Sequence, residues 1–167
     1  MPSSMNITPM SEAHWAAVRE IYAQGIATRN ATFETALPDW AEWDARHLSM
    51  CRLVALRGDE VVGWAALSAV SSREVYRGVA EVSVYVADGA QGKGIGSALL
   101  SALVAESERN GIWTLQGATI AENKASLALQ ERCGFRVIGR RERIGKLAGI
   151  WHDTILTERR SKKVGIE

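Results

Sequence analysis

Glu81-Val-Ser-Val-Tyr-Val-Ala-Asp-Gly-Ala-Gln-Gly-Lys-Gly-Ile-Gly-Ser97 is the stretch from which the rest of the chain can be placed. Val82 to Val86 are β-branched or aromatic, the composition of a strand half-buried in a sheet. Gly89, Gly92, Gly94 and Gly96 follow Asp88, so strand pairing is expected to stop near Ala87. From Ser97 onward Leu99, Leu100, Leu103 and Val104 share one side of a helix that Asn110-Gly111 brings to an end. A strand that passes through glycines into a helix aims backbone N–H groups, and the positive end of the helix dipole, at a single point. The stretch therefore predicts a phosphate cradle.

Upstream, Asn6 to Pro9 reads as a short strand, and Ser11 as the N-cap of a helix over Glu12 to Ala27 that turns Trp15, Val18, Tyr22 and Ile26 to one side. A polar connection, Arg29 to Pro38, precedes a short helix from Asp39 to Leu48, on which Trp40, Trp43 and His47 recur at helical spacing. Arg52 to Leu56 and Val61 to Val70 are β-rich runs joined through Arg57-Gly-Asp-Glu60, which predicts an antiparallel pair. Ser71 to Gly78 is a polar interruption. Downstream, Ile112 to Ile120 reads as a strand and Asn123 to Cys133 as a helix closed by Gly134. Phe135 to Ile138 and Ile150 to Leu156 read as two final strands, connected by the basic segment Gly139 to Gly149, with Thr157 to Glu167 as a frayed, charged tail. The sum is one α/β domain over residues 1–167, with helices layered on a mixed sheet.

With 20 basic and 19 acidic residues the formal net charge is +1, which lacks the basic footprint of a nucleic-acid-binding protein and points to small-molecule partners. Two cysteines, Cys51 and Cys133, are too few for a disulfide scaffold. The N-terminal residues lack the charged and apolar regions of a signal peptide, so a cytoplasmic protein is expected. No apolar run approaches the ~20 residues that cross a bilayer, and no zinc-type spacing appears among the histidines and cysteines, so neither a membrane nor a metal partner is expected.

Strand alternation puts Val82, Val84 and Val86 on one face and Glu81, Ser83 and Tyr85 on the other. A carboxylate beside a hydroxyl and a phenol, next to a phosphate-holding loop, suggests a base acting on a substrate docked against a phosphorylated cofactor; a solvated polar strand face is the plainer alternative. The loop has neither the nucleotide P-loop spacing nor that of the dinucleotide fingerprint.

The spacing Gln91-x-x-Gly94-x-Gly96 after a strand resembles the acyl-CoA signature of the GNAT superfamily of N-acetyltransferases. Asn123-x-x-Ser126-Leu127 followed by Gly134-Phe135 resembles that superfamily's second conserved segment, and the order of elements resembles its fold. Ala31-Thr-Phe-Glu-Thr35, Arg73 to Val86 and Gly149-Ile-Trp-His-Asp153 are similar to its phosphinothricin and methionine sulfoximine N-acetyltransferase branch. The resemblance implies a mixed, mostly antiparallel sheet splayed at the cofactor site and flanked by helices. It implies acetyl-CoA as acetyl donor, with the pantetheine arm on the backbone of Val84, Tyr85 and Val86. The pyrophosphate would lie on Gln91, Gly92, Lys93, Gly94, Ile95, Gly96 and Ser97, and Asn123 and Ser126 would contact the CoA arm.

The reaction so implied is direct attack of an amine on the thioester, with Glu81 removing the proton through water. The superfamily often places a Tyr, and this branch a His, where the chain has Gln130, so solvent or Tyr85 must protonate the leaving thiolate. In the branch the acceptor is the α-amine of a small glutamate-like amino acid. Arg73, Arg77 or Lys146 could take its carboxylate, Phe33 and Tyr76 could wall the pocket, and Ser83 and Tyr85 face it. Trp151 is expected as a buried aromatic and Asp153 as a structural carboxylate. A homodimer is expected by analogy with the branch. Polyamine or protein N-terminal acetylation, and a non-catalytic CoA-binding sensor, remain the alternatives.

Overall fold

The computed structural model describes residues 4–167. Period-two runs give seven strands: β1 (Met5–Pro9), β2 (Leu53–Arg57), β3 (Glu60–Ala69), β4 (Val79–Val86), β5 (Thr114–Ile120), β6 (Arg136–Leu147) and β7 (Ile150–Arg160). The helices are α1 (Trp15–Thr28), α2 (Trp40–Arg46), α3 (Ile95–Arg109) and α4 (Lys124–Arg132), with short 3₁₀ turns at Glu12–His14 and Glu74–Tyr76. Ser11 caps the first of these turns, its N–H donating to His14 Nδ1 at 3.0 Å, and α1 follows directly. The Asp39 side chain accepts from the Glu42 N–H and starts α2.

The sheet order is β1-β2-β3-β4-β5-β7-β6, and β4–β5 is its one parallel pair. On one face α3 lays the fully buried Leu99, Leu100 and Leu103 against Ala65 and Leu67 of β3 and the valines of β4, each leucine contributing about 1.5–3 kcal/mol by burial. On the other face Val18, Ile21 and Tyr22 of α1 pack with Trp43 and Trp64. Tyr85 stacks on Trp64 at 4.8 Å and meets the edge of Tyr22 at 5.2 Å. His47 stacks on Trp43 at 4.1 Å, and its Nδ1 lies 2.7 Å from the Trp43 carbonyl. Burial lowers the His47 pKa and outweighs that hydrogen bond, so the ring is held neutral.

Two expectations need correction. The charged run Gly139 to Gly149 is not a connection: β6 and β7 form one long hairpin whose turn is Ala148-Gly149, with Gly149 at φ +81°. As an edge strand β6 has a side open to water, which is why a run dense in arginine can be a strand. Nor does the chain fray at Thr157. The last strand runs to Arg160, whose guanidinium donates to the Ser161 and Val164 carbonyls at 2.9 and 3.0 Å, while Ser161 Oγ donates to Glu108 at 3.0 Å.

Candidate active site

The site begins where the sheet comes apart. β4 and β5 are paired only at Val79–Thr114, Ala80–Leu115 and Glu81–Gln116, after which both strands continue without each other, β4 to Val86 and β5 to Ile120. On its other edge β4 stays bonded to β3, and the Ala87 N–H donates to the Val62 carbonyl at 2.9 Å. Antiparallel alternation then turns the N–H and C=O groups of Val84 and Val86 toward the side β5 has left. The opening is a cleft of about 1180 Å³ whose walls include both strands, the glycine loop, α4 and the connection between α1 and α2.

The loop delivers α3 to one end of this cleft. Gly92 and Gly94 sit at φ +75° and +81° with open space where a Cβ would project, and Gly94 is the N-cap of α3 without any side-chain cap. A side chain at either position would be strained and would fill the approach to the first amides of α3. Gly96 has a different task. A Cβ there would stand 3.2 Å from Leu129 of α4 and 3.6 Å from Val86, so this glycine is set by helix packing and not by access to the loop. Gln91, Ile95 and Ser97 line the cleft as well, whereas Lys93 is exposed outside its lining. Arg132, which sequence reasoning missed, enters at this end, with Nη2 3.5 Å from Ser97 Oγ. Asn123 Oδ1 accepts from the Ser126 N–H at 3.2 Å as the N-cap of α4, which leaves the amide NH₂ of Asn123 free for another partner.

Glu81 occupies the last paired position before the strands diverge, and the Gln116 side chain donates to its Oε1 at 3.1 Å. Ser83 and Tyr85 follow along the same face, and all three line the cleft. A glycine loop at a helix N-terminus, an unpaired backbone edge and a carboxylate at the vertex thus belong to one cavity.

A match to the Acetyltransferase (GNAT) family spans residues 15–135. The chain belongs to that family. It is 37% identical to a phosphinothricin N-acetyltransferase of Alcaligenes faecalis, over 86% of this chain and 76% of the relative. It is 32% identical to an L-methionine sulfoximine/L-methionine sulfone acetyltransferase of Salmonella typhimurium, over 89% and 90%. The crystal structure of a GNAT superfamily phosphinothricin acetyltransferase from Sinorhizobium meliloti, in complex with AcCoA, superposes with a TM-score of 0.89 at 30% identity, covering 98% of this chain and 91% of that one. The protein is a GNAT-type N-acetyltransferase, with the mixed, splayed sheet of that fold.

The side chains that the sequence offered for an acceptor are placed differently by the structure. Arg73, Tyr76, Arg77 and Lys146 do not line this cleft. Arg73 lies over the Tyr76 ring at 5.5 Å, Arg77 over Trp113 at 5.4 Å and within 3.5 Å of Glu74, and Lys146 over Trp151 at 5.6 Å. Each of these cations is already paired with an aromatic ring. Trp151 itself is 48% exposed, not buried, and carries Arg143 as well as Lys146 above its ring. Phe33 does line the cleft, and it reaches across to the hairpin: a Cβ on Gly145 would come within 2.8 Å of its ring. Its ring also meets the edge of His152 at 6.2 Å, and His152 Nδ1 lies 3.2 Å from Glu122. The Glu122 carboxyl is held below its usual range by its own backbone amide and then by His152.

Gln130 is spent on structure. Its amide donates to Thr119 Oγ1 at 2.8 Å and Ser126 Oγ at 3.1 Å, and its carbonyl accepts from Thr157 at 2.5 Å. Gly117 makes room for this network, since a Cβ there would stand 2.6 Å from both Gln130 Oε1 and Thr157 Oγ1. Tyr85 is no substitute acid, because burial pushes its phenol far above the ordinary range and makes it a poorer proton donor to a thiolate. Asp153 is structural, as expected: it accepts the Arg143 backbone N–H and Arg140 Nε, both at 2.7 Å. Among the described residues no cluster of His, Cys, Asp and Glu could hold a metal, and no helix is long and apolar enough to cross a membrane.

Proposed function

We propose that this acetyltransferase moves the acetyl group of acetyl-CoA to the α-amine of a small amino acid or glutamate-like analogue, such as phosphinothricin, methionine sulfoximine or methionine sulfone. The observation that carries the reading is Glu81 at the vertex of the splayed strands, in the same cleft as the glycine cradle. The relatives named above for these acceptors support the substrate class. The chain suits acetyl-CoA: left-handed glycines leave the first amides of α3 open to a pyrophosphate, Arg132 adds positive charge beside them, and the free edge of β4 offers the pantetheine amides the partners of a neighbouring strand.

The acceptor enters as an ammonium, so Glu81 takes a proton through water before the nitrogen attacks the thioester carbon. The C–N bond forms, the C–S bond breaks, CoA leaves as thiolate, and the nitrogen gives up its second excess proton to solvent as the amide forms. A backbone N–H of β4 facing the gap polarises the thioester oxygen, a donor worth about 3 kcal/mol in such sites. With Gln130 locked into its network, solvent returns the proton to sulfur. The same reading makes the protein a cytoplasmic homodimer, by analogy with the phosphinothricin branch.

The test is thiol release from acetyl-CoA against a panel of amino acids, sulfoximines, sulfones, polyamines and short peptides. Release with the sulfone and sulfoximine amino acids is expected. Release with polyamines or peptides alone would replace the acceptor class, and no release with any acceptor would favour a CoA-binding sensor.

A further inference from the structure

The acceptor end holds a cation that nothing above assigns. We propose that Arg141 is the residue that grips the acceptor's α-carboxylate, an inference that rests on the amino-acid reading of the cleft. Sheet register places it. Arg141 stands opposite Thr154 across β6–β7, Thr154 opposite Ile120 across β7–β5, and Glu81 opposite Gln116 across β4–β5. Residues directly opposed in a ladder share a face, and so do Gln116 and Ile120, four apart on one strand. Arg141 and Glu81 therefore project from the same face of the sheet, one on each side of the divergence, and both line the cleft. Lys146 stands opposite Trp151, which alternates to the other face from His152 and Thr154 and takes Lys146 away from the substrate.

The hairpin is built to present this one arginine. Between Arg141 and Gly145 the register of β6 shifts against β7, and the bulge is pinned by Asp153, which holds the Arg143 N–H and the Arg140 guanidinium. Arg143 has its guanidinium over Trp151, and Arg136 pairs with Glu158 at 2.7 Å. Arg141 has no such engagement: it makes no ion pair, side-chain hydrogen bond or cation–π contact among the described residues, and it faces the cavity. Its position opposite the base matches the dipole of a zwitterion. Glu34, on the connection that Phe33 fastens to Gly145, lines the same cleft, so the acceptor's ammonium meets Glu81 and Glu34 while its carboxylate meets a guanidinium able to hold both oxygens.

The experiment compares L-methionine sulfone with its α-carboxamide as acceptors for the full-length native enzyme and its Arg141→Gln and Arg141→Lys variants. Arg141→Gln is expected to raise the KM for methionine sulfone by about 10- to 100-fold, the loss of one charged hydrogen-bonded contact, with kcat and the KM for acetyl-CoA little changed. The carboxamide, poor for the native enzyme, should be no poorer for Arg141→Gln, and Arg141→Lys should recover part of the lost affinity. An unchanged KM for methionine sulfone, or an equal rise for both acceptors, overturns the assignment while leaving the amino-acid reading intact. A native enzyme that acetylates neither compound but acetylates polyamines or peptides overturns both. The KM for acetyl-CoA reports folding in every variant.

Discussion

On one side of the cleft, β4 and α3 lean on apolar surface: leucines of α3 against the valines of β4, and Tyr85 flat against Trp64. On the other, β5, α4 and the β6–β7 hairpin are joined by polar contacts, with Gln130 tying Thr119 to Thr157 and Asp153 pinning the bulge. The apolar arm carries the glycine loop and Glu81, the cradle and base of the proposed reaction, which must stay fixed relative to each other. The polar arm carries Arg141 and the seat of Phe33, both of which line the same cleft. Apolar packing is non-directional and tolerant of exchange, whereas a buried hydrogen-bond network loses a full desolvation cost when one member goes. Damage to the cradle, to Glu81 or to Arg141 should therefore express itself as lost binding or turnover, and damage to the Gln130 network as lost stability.

The largest effect is expected from Gly94→Val, which forces a β-branched residue to φ +81° over the first amides of α3. Acetyl-CoA binding measured by calorimetry should fall by more than about 100-fold while the far-ultraviolet dichroism stays native. Retained affinity would break the link between cradle and donor. Next is Glu81→Gln, which should lower kcat by about 10²- to 10⁴-fold at neutral pH and leave acetyl-CoA affinity intact. Unchanged turnover would remove Glu81 as the base. On the polar arm, Gly117→Val drives a side chain into Gln130 and Thr157, and it should cost about 1–3 kcal/mol in urea unfolding with a smaller change in acetyl-CoA affinity. A larger effect on binding than on stability would reverse the comparison.

The smallest expected effect tests whether the apolar arm has a polar weak point. Burial lowers the His47 pKa, and the charges of Arg52 and Arg46 reinforce the effect. As pH falls below the ordinary imidazole value of about 6.5, the unfolded chain takes up a proton that the folded chain refuses. The stability His47 supports is thus present above that value and lost as pH falls through it toward the folded pKa. Melting temperatures should fall between pH 7 and 5, and His47→Gln should flatten that dependence at the expense of overall stability.

The apolar arm was also the more legible of the two in sequence. Alternation along Val79–Val86 placed Glu81, Ser83 and Tyr85 opposite the valines, and the glycines located the start of α3, which the structure puts at Ile95 rather than Ser97. These are local patterns, and burial on one side enforces them. The polar arm depends on partners far apart in the chain. Nothing near Arg141 in sequence shows that Asp153 claims its neighbours, and Gly145 signals flexibility until Phe33 is seen packed on it. Arg73, Arg77 and Lys146 are plausible carboxylate partners by residue type, but each lies over an aromatic ring, Arg73 and Lys146 over near neighbours in the chain and Arg77 over the distant Trp113. Gln130 could be excluded as an acid from its chemistry alone, yet its role as a clamp required β7.

The three-residue joint between β4 and β5 has a thermodynamic consequence for the whole molecule. Only a short ladder connects the two halves of the sheet, and a donor lying along the free edge of β4, as proposed above, would serve as the strand that β5 does not provide. A compound that binds the folded chain and not the unfolded one stabilises the fold by mass action, by about 2.7 kcal/mol when present at a hundred times its dissociation constant. A donor that binds there as proposed would raise the melting temperature of the enzyme as its concentration rises.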